Sequence, residues 1–171
     1  MNLSRHFYFI KMKQIKLTQG QFALVDDEDF EYLNQFDWGA VKGHNTYYAK
    51  KSGYDKGKKP QIKMHRLILK ITDSKTLVDH KDGNGLNNQK NNLRSSNKSQ
   101  NGINRGPQKN GTSQYKGVSW IAKSNKWMAK ITINRKQIYI GCFSDIIECA
   151  KAYDKKAKEL FGEFAYLNFK D

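Results

Sequence analysis

Residues 14–50 read as β-rich, with stretches in which apolar side chains alternate with polar ones, the period of a half-buried strand. "QIKLTQGQFALV" holds two such stretches around a glycine turn, and "NTYYAKK" is a further strand candidate. Between them the period changes. In "DDEDFEYLNQF" the apolar residues Phe30, Leu33 and Phe36 stand at near-helical spacing, which predicts a short helix. "KSGYDKGKKP" breaks the pattern as a basic, glycine-containing loop, and "QIKMHRLIL" resumes it as a strand or the start of a buried helix. "TLVDH" predicts a strand that ends on Asp79 and His80. "KDGN" supplies a tight turn in which Asp82-Gly83 suits positive φ. "NLR" returns as a second short strand, and Ser95 or Ser96 is placed to cap a helical turn over "SSNKSQN".

The stretch "NRGPQKNGTSQ", residues 104–114, has no periodicity and reads as a boundary. Beyond it, "YKGVSWI", "KWMAKITI" and "KQIYIGCF" are separated by "AKSNK" and "NR", the pattern of a three-stranded antiparallel meander. Residues 145–161 then place Ile146, Cys149 or Ala150, Tyr153, Ala157 and Leu160 on one helical stripe, with Asp145 as the cap, Glu148 completing a capping box, and Gly162 as the stop. The alternation in the second strand assigns the faces. Trp127, Ala129, Ile131 and Ile133 point under the helix. Lys126, Met128, Lys130 and Thr132 point away from it, and Gln137 and Tyr139 oppose Ile138 and Ile140 in the third strand. The uncovered face is therefore polar and cationic, with one aromatic.

Charge turns this pattern toward a partner. The 171 residues carry 31 Lys and Arg against 16 Asp and Glu, a net +15, well beyond the magnitude of about 2 to 8 that suffices for solubility. Such an excess is the footprint of a polyanion, nucleic acid first among them. Residues 1–104 hold 18 basic and 10 acidic groups and residues 105–171 hold 13 and 6, so both halves are drawn to the same partner. Five acids between Asp26 and Glu31 form one acidic island, expected to face away from DNA. No apolar run approaches the roughly 20 residues of a membrane span, and "MNLSRHFYFIKMK" lacks a cleavage signature, which leaves Met12 beside Met1 as a candidate start. Cys142 and Cys149 form no CxxC pattern, which disfavours structural zinc and fits a reducing cytoplasmic setting.

The chemistry concentrates in "VDHKDGNGLNNQKNNLRSSNKSQN", where seven of the 24 residues from 78 to 101 are Asn. Strand, loop, strand and helix in that order bring Asp79, His80 and a residue such as Asn101 toward one point. A carboxylate with amide oxygens is a hard-oxygen ligand set that suits Mg²⁺ or Mn²⁺. A neutral imidazole beside it takes a proton from water, and together these make a one-metal phosphodiesterase. On spacing alone an Asx-rich turn with no ligand stays open. A calcium loop fails its own pattern, because Leu93 stands twelfth from Asp82 where a bidentate Glu is required.

At "MHRLIL", "VDHKDGNGLNNQKNNLR" and "NKSQN" the chain resembles the HNH homing endonucleases of phage and bacterial mobile elements, and "IKLTQGQFALVDDEDFEYLNQFDW" resembles the leader that often precedes that nuclease. From "YKGVSW" to "FAYLNF" it resembles the AP2 DNA-binding domain known from plant ethylene-response factors. The resemblance implies an α+β chain: an irregular tail (1–12), a β-rich leader (13–60), a ββα-metal HNH nuclease (61–104), a linker (105–113) and an AP2-like domain (114–171) whose three-stranded antiparallel sheet packs on one helix. It implies Asp79 and Asn101 as ligands of one divalent metal ion, Mg²⁺ or Mn²⁺, His80 as the general base, and Asn92 as the residue that steadies the loop and orients the base. Asn88 and Asn97 compete for the amide roles. Asp and Asn stand where many members have His, which argues against a His-rich transition-metal site. His65 and Arg66 match the "HR" ahead of the nuclease strands, Arg66 as a phosphate clamp. Lys116, Ser119, Lys126, Lys130, Thr132, Gln137 and Tyr139 are the DNA-contact candidates of the sheet. Lysine in place of the plant arginines removes the bidentate fork and implies different base preferences. Trp38 is assigned to the core. The expected partner is double-stranded DNA, with no membrane and no small-molecule cofactor. The expected protein acts as a monomer that nicks, in the cytoplasm of a bacterial or phage-infected cell. The rivals are a non-catalytic DNA-binding regulator and, lacking an RNP-like strand, an RNA-binding protein.

Overall fold

A computed structural model of the chain describes residues 12–52, 61–108 and 110–169. The tail expected before Met12 and most of the basic loop after Ser52 lie outside the described residues. The chain divides into two compact units that part between Asn97 and Lys98. The fold is mixed α and β, with small antiparallel sheets and few helices.

In the first unit, β1 (Met12–Lys16) and β2 (Phe22–Asp26) form a hairpin across the Gly20 turn, with Gln14 opposite Leu24. α1 (Asp27–Leu33) follows at once, its first turn carrying Asp27, Glu28 and Asp29 where negative charge complements the helix dipole. β3 (Gly39–Lys42), β4 (Tyr47–Ser52) and β5 (Gln61–Lys63) form a three-stranded sheet in that order. The ambiguous "QIKMHRLIL" is both things in turn: β5 runs directly into α2 (Met64–Ile68), which buries Met64, His65 and Ile68. The core joins Ile15, Val25, Leu33, Trp38, Met64 and Leu93, and the Trp38 indole donates to the Leu33 carbonyl at 2.8 Å.

β6 (Leu77–His80) and β7 (Leu93–Ser96) close a long hairpin in which Asp79 faces Arg94 and His80 faces Leu93. Here the capping expectation is corrected. Ser95 and Ser96 pair with Val78 and Leu77 as strand residues, and the following helix starts later, at Lys98. Strand pairing keeps both serines in β7, and the residue directly before the helix is Asn97.

The second unit opens with that helix, α3 (Lys98–Ile103). Then β8 (Val118–Ile121), β9 (Lys126–Ile133) and β10 (Lys136–Phe143) form a sheet with β9 in the centre. α4 (Ile146–Phe161) buries Cys149, Ala150, Tyr153 and Ala157 against Val118, Ala129 and Ile131. Asp145 caps it by accepting from the Glu148 N–H at 2.8 Å, and Gly162 ends it at φ +53°.

Candidate active site and nucleic-acid interface

Asp79 and His80 reach their places because β6 ends in a loop that is rigid by hydrogen bonding. Gly83, at φ +78°, turns the chain and donates to the His80 carbonyl at 2.9 Å. Asp82 and Asn92 then lock the loop reciprocally. The Asp82 N–H donates to Asn92 Oδ1 at 3.0 Å, and Asn92 Nδ2 donates to Asp82 Oδ1 at 3.0 Å and to the Asn87 carbonyl at 2.8 Å. Asn84 Oδ1 accepts from the Leu86 N–H, and Asn88 Nδ2 donates to the Leu86 carbonyl. The wealth of asparagine therefore serves the loop backbone first, as Asx chemistry does in tight turns.

Two neighbours hold this loop in position. On one side Leu24 of β2 exchanges backbone bonds with Leu86 and Asn88, both at 2.8 Å. Asp26, buried rather than turned outward with the acidic island, accepts from the Lys90 N–H at 2.8 Å. On the other side Gly85 lies against β4. A Cβ there would sit 2.5 Å from the Tyr47 carbonyl oxygen and 2.7 Å from the Tyr48 ring, so no side chain fits.

Asp79 and His80 are both 5% exposed. The carboxylate is paired with Arg94 across the hairpin, Oδ2 accepting from Nε at 2.9 Å and from Nη2 at 2.6 Å. The His80 ring packs edge-on to His65 at 5.1 Å between centroids and beside Tyr48 at 5.9 Å. Burial lowers the His80 pKa below its usual value, opposed by the Asn88 amide beside the ring and by Asp82 and Asp79. Burial also pushes His65 down to about 3, helped by His80, Lys63, Arg66 and Lys50. Tyr48 moves upward through burial and the Asp79 charge. At neutral pH both imidazoles are thus uncharged, and His80 is held in a basic, unprotonated form.

The first unit brings Asp79, His80 and Asn92 together in one hairpin. Asn101 lies in α3 of the second unit. Arg66 is engaged locally, Nη1 donating to the Thr76 carbonyl at 2.6 Å and Nη2 to that of Asp73. Asp82 is expected from the sequence only as a turn residue, and Arg94 and Tyr48 carry no local signal of their places here. Arg94 becomes visible only once the β6–β7 register is known.

The donor set at Asp79 suits a hard divalent cation, which is commonly held by one or two carboxylates together with phosphate and water. A second acidic group, Asp26, Glu28 and Asp29, brings its oxygens within 4.8 Å of one another. It already holds an ammonium: Lys90 Nζ lies 2.7 Å from Glu28 and 3.1 Å from Asp29. A metal ion at either place would therefore compete with a cation of the protein itself, Arg94 at Asp79 and Lys90 at the acidic group.

In the second unit the strand register puts Ser119 opposite Met128, Lys130 opposite Tyr139 and Thr132 opposite Gln137. These residues and Lys126 share the face away from α4, where Tyr139 is 63% exposed. Lys116 behaves differently from its sheet companions. It is half-buried, its Nζ donates to the carbonyls of Ile103 and Arg105, and burial pushes its pKa down to about 8. Among the described residues no helix is long and apolar enough to cross a membrane.

Comparison with known proteins gives these features a context. An uncharacterized HNH endonuclease of Acanthamoeba polyphaga mimivirus is 33% identical over 159 residues, covering 88% of this chain and 76% of that protein. Protein 3.8 of Escherichia phage T7 is 34% identical over 88 residues, 52% of this chain and 72% of its own length. An AP2-like ethylene-responsive transcription factor of Arabidopsis thaliana is 37% identical over 65 residues, 38% of this chain but 13% of the factor. No family model and no solved structure matches the chain.

Proposed function

The chain belongs to the HNH endonuclease family, and from that premise we propose that it is a metal-dependent, site-directed endonuclease that hydrolyses a phosphodiester bond of duplex DNA. The observation that carries the reading is His80, a buried neutral imidazole fixed next to the Asp79 carboxylate at the end of β6. In this reading His80 accepts the proton of a water that attacks phosphorus, leaving 5′-phosphate and 3′-hydroxyl ends. Asn92 keeps the loop, and with it the imidazole, in one orientation through its bonds to Asp82 and Asn87. Asp79 would hold one divalent ion, Mg²⁺ or Mn²⁺, and Asn101 would be the second oxygen donor on the strength of its place in the motif. Such an ion, when bound, supplies positive charge to the scissile phosphate and the leaving 3′ oxygen.

The hairpin with α3 is read as the ββα-metal nuclease, and the β8–β10 sheet with α4 as an AP2-type reader. Ser119, Lys126, Lys130, Thr132, Gln137 and Tyr139 face the major groove, which admits a β-sheet. The basic groups supply a sequence-independent attraction to phosphate. With one site per chain, a monomer nicks, and mobility of its own gene is the biological setting. The rival is a regulator that binds and does not cut, favoured by the likeness to plant factors over 38% of the chain. Supercoiled plasmid incubated with Mg²⁺ or Mn²⁺ separates the two. Nicked circles that vanish with a chelator support the nuclease, and binding without nicking in either ion leaves only the regulator.

A further inference from the structure

α3 is a six-residue helix that contributes no buried residue, yet it carries Asn101. So short a helix is marginal on its own, so its position has to be imposed by tertiary contacts. The carbonyl end of a helix attracts a cation. Lys116 meets that need: its Nζ donates to the Ile103 carbonyl, at the end of α3, and to that of Arg105 at 2.6 Å, and it lies 5.2 Å from the centre of the Tyr166 ring.

The backbone of Lys116 is fixed with unusual completeness. Its N–H donates to Asn168 Oδ1 at 2.7 Å, and its carbonyl accepts from Asn168 Nδ2 at 3.2 Å. Asn168 is anchored in turn by Asp154 of α4, whose Oδ1 accepts from the Asn168 backbone at 2.9 Å and its side chain at 3.0 Å. The next residue, Gly117, passes its carbonyl to the Lys130 N–H of β9 at 2.9 Å, and a Cβ on it would collide with the Tyr153 ring. A continuous chain of bonds therefore runs from α4 and the central strand through Lys116 to the end of α3.

We propose that Lys116 is a positioning residue for cleavage: it fastens the C-terminal end of α3, and with it Asn101, to the sheet unit, and it is not a phosphate contact. The proposal rests on the nuclease reading for its catalytic consequence, though not for the anchor itself. Full-length Lys116→Met and Lys116→Arg proteins test it by three measurements. The first is affinity for a labelled mixed-sequence duplex over a salt series, in chelator. The second is single-turnover nicking of supercoiled plasmid with Mn²⁺ at saturating protein. The third is hydrogen exchange of the Asn104 and Arg105 amides, which close the last turn on Gln100 and Gly102.

For Lys116→Met the anchor predicts faster exchange at those two amides and an unchanged salt slope. It also predicts nicking slowed by about 10- to 100-fold, the usual effect of losing a group that orients a metal ligand. Lys116→Arg, which keeps a cation and donors for both carbonyls, restores most of the rate. A salt slope lower by about one with unchanged nicking marks a phosphate contact and overturns the proposal. Unchanged exchange overturns it as well. If the unaltered protein nicks nothing, the nuclease reading fails while the exchange and salt measurements still decide the anchor.

Discussion

Replacing Asp79 by asparagine tests the site's electrostatics without any metal. The carboxylate and its partner Arg94 are 5% and 9% exposed, and one oxygen, Oδ2, receives both guanidinium bonds, at 2.9 and 2.6 Å. The substituted amide would still offer an oxygen but no charge, so the buried guanidinium loses the Asp79 carboxylate. Breaking a buried pair in this way costs about 3 to 5 kcal/mol, and the retained amide oxygen places Asp79→Asn near the lower end. For a unit of this size that is a fall of about 1 to 3 M in the urea midpoint. Trp38, buried in the first unit, reports its unfolding once Trp120 and Trp127 of the second are changed to Phe. With chelator present, any loss of stability belongs to the ion pair and not to a lost ligand. The double change Asp79→Asn with Arg94→Met should recover more than half of the loss, because it removes both members of the pair. An Asp79→Asn protein within about 0.5 kcal/mol of the parent, the scale of an ordinary surface change, would refute the reasoning.

The titrating and cationic groups give two further tests. The His65 pKa is about 3 in the folded chain against 6.5 for an ordinary histidine, so the unfolded chain binds a proton that the folded one refuses. The His65 contribution is therefore fully present above pH 6.5 and is lost as pH falls through 6.5 toward 3. By about pH 4.5 the loss amounts to about 2 to 3 kcal/mol of unfolding free energy, read from Trp38-detected urea titrations, and His65→Phe should flatten that part of the pH profile. An unaltered profile in His65→Phe counts against the burial argument. On the sheet face, Lys126→Ala with Lys130→Ala should lower the salt slope of duplex binding by about two, while Lys158→Ala on the exposed side of α4 should leave it unchanged. Equal effects of both would deny the sheet face its role.

Much of the second unit was legible because local signals agree there. Asp145, the Ile146-to-Leu160 stripe and Gly162 define α4 without any tertiary information. The Asp79-His80 strand end and the Gly83 turn were legible for the same reason. The misses depend on long-range pairing. Ser95 and Ser96 have the side chains of helix caps, and only the pairing with Val78 and Leu77 makes them strand residues. Asp26 sits in an acidic island that suggests exposure, yet the Lys90 backbone 64 positions away fixes it inside. The half-burial of Lys116 has no local mark either, since its backbone is held by Asn168, 52 residues on. Arg94 lies in "NLR" with no local mark of an ionic partner, since opposition to Asp79 is a property of register.

Cleavage, in this reading, turns on one imidazole acting as a base. Single-turnover nicking of supercoiled plasmid with Mn²⁺, compared between the unaltered protein and His80→Ala, tests it directly, with duplex affinity measured in parallel. A base at His80 predicts a rate lower by about 10²- to 10⁴-fold in His80→Ala, the range for loss of a general base, with affinity kept within about twofold. Nicking by His80→Ala within about threefold of the parent, or loss of binding in step with the loss of cutting, would contradict it.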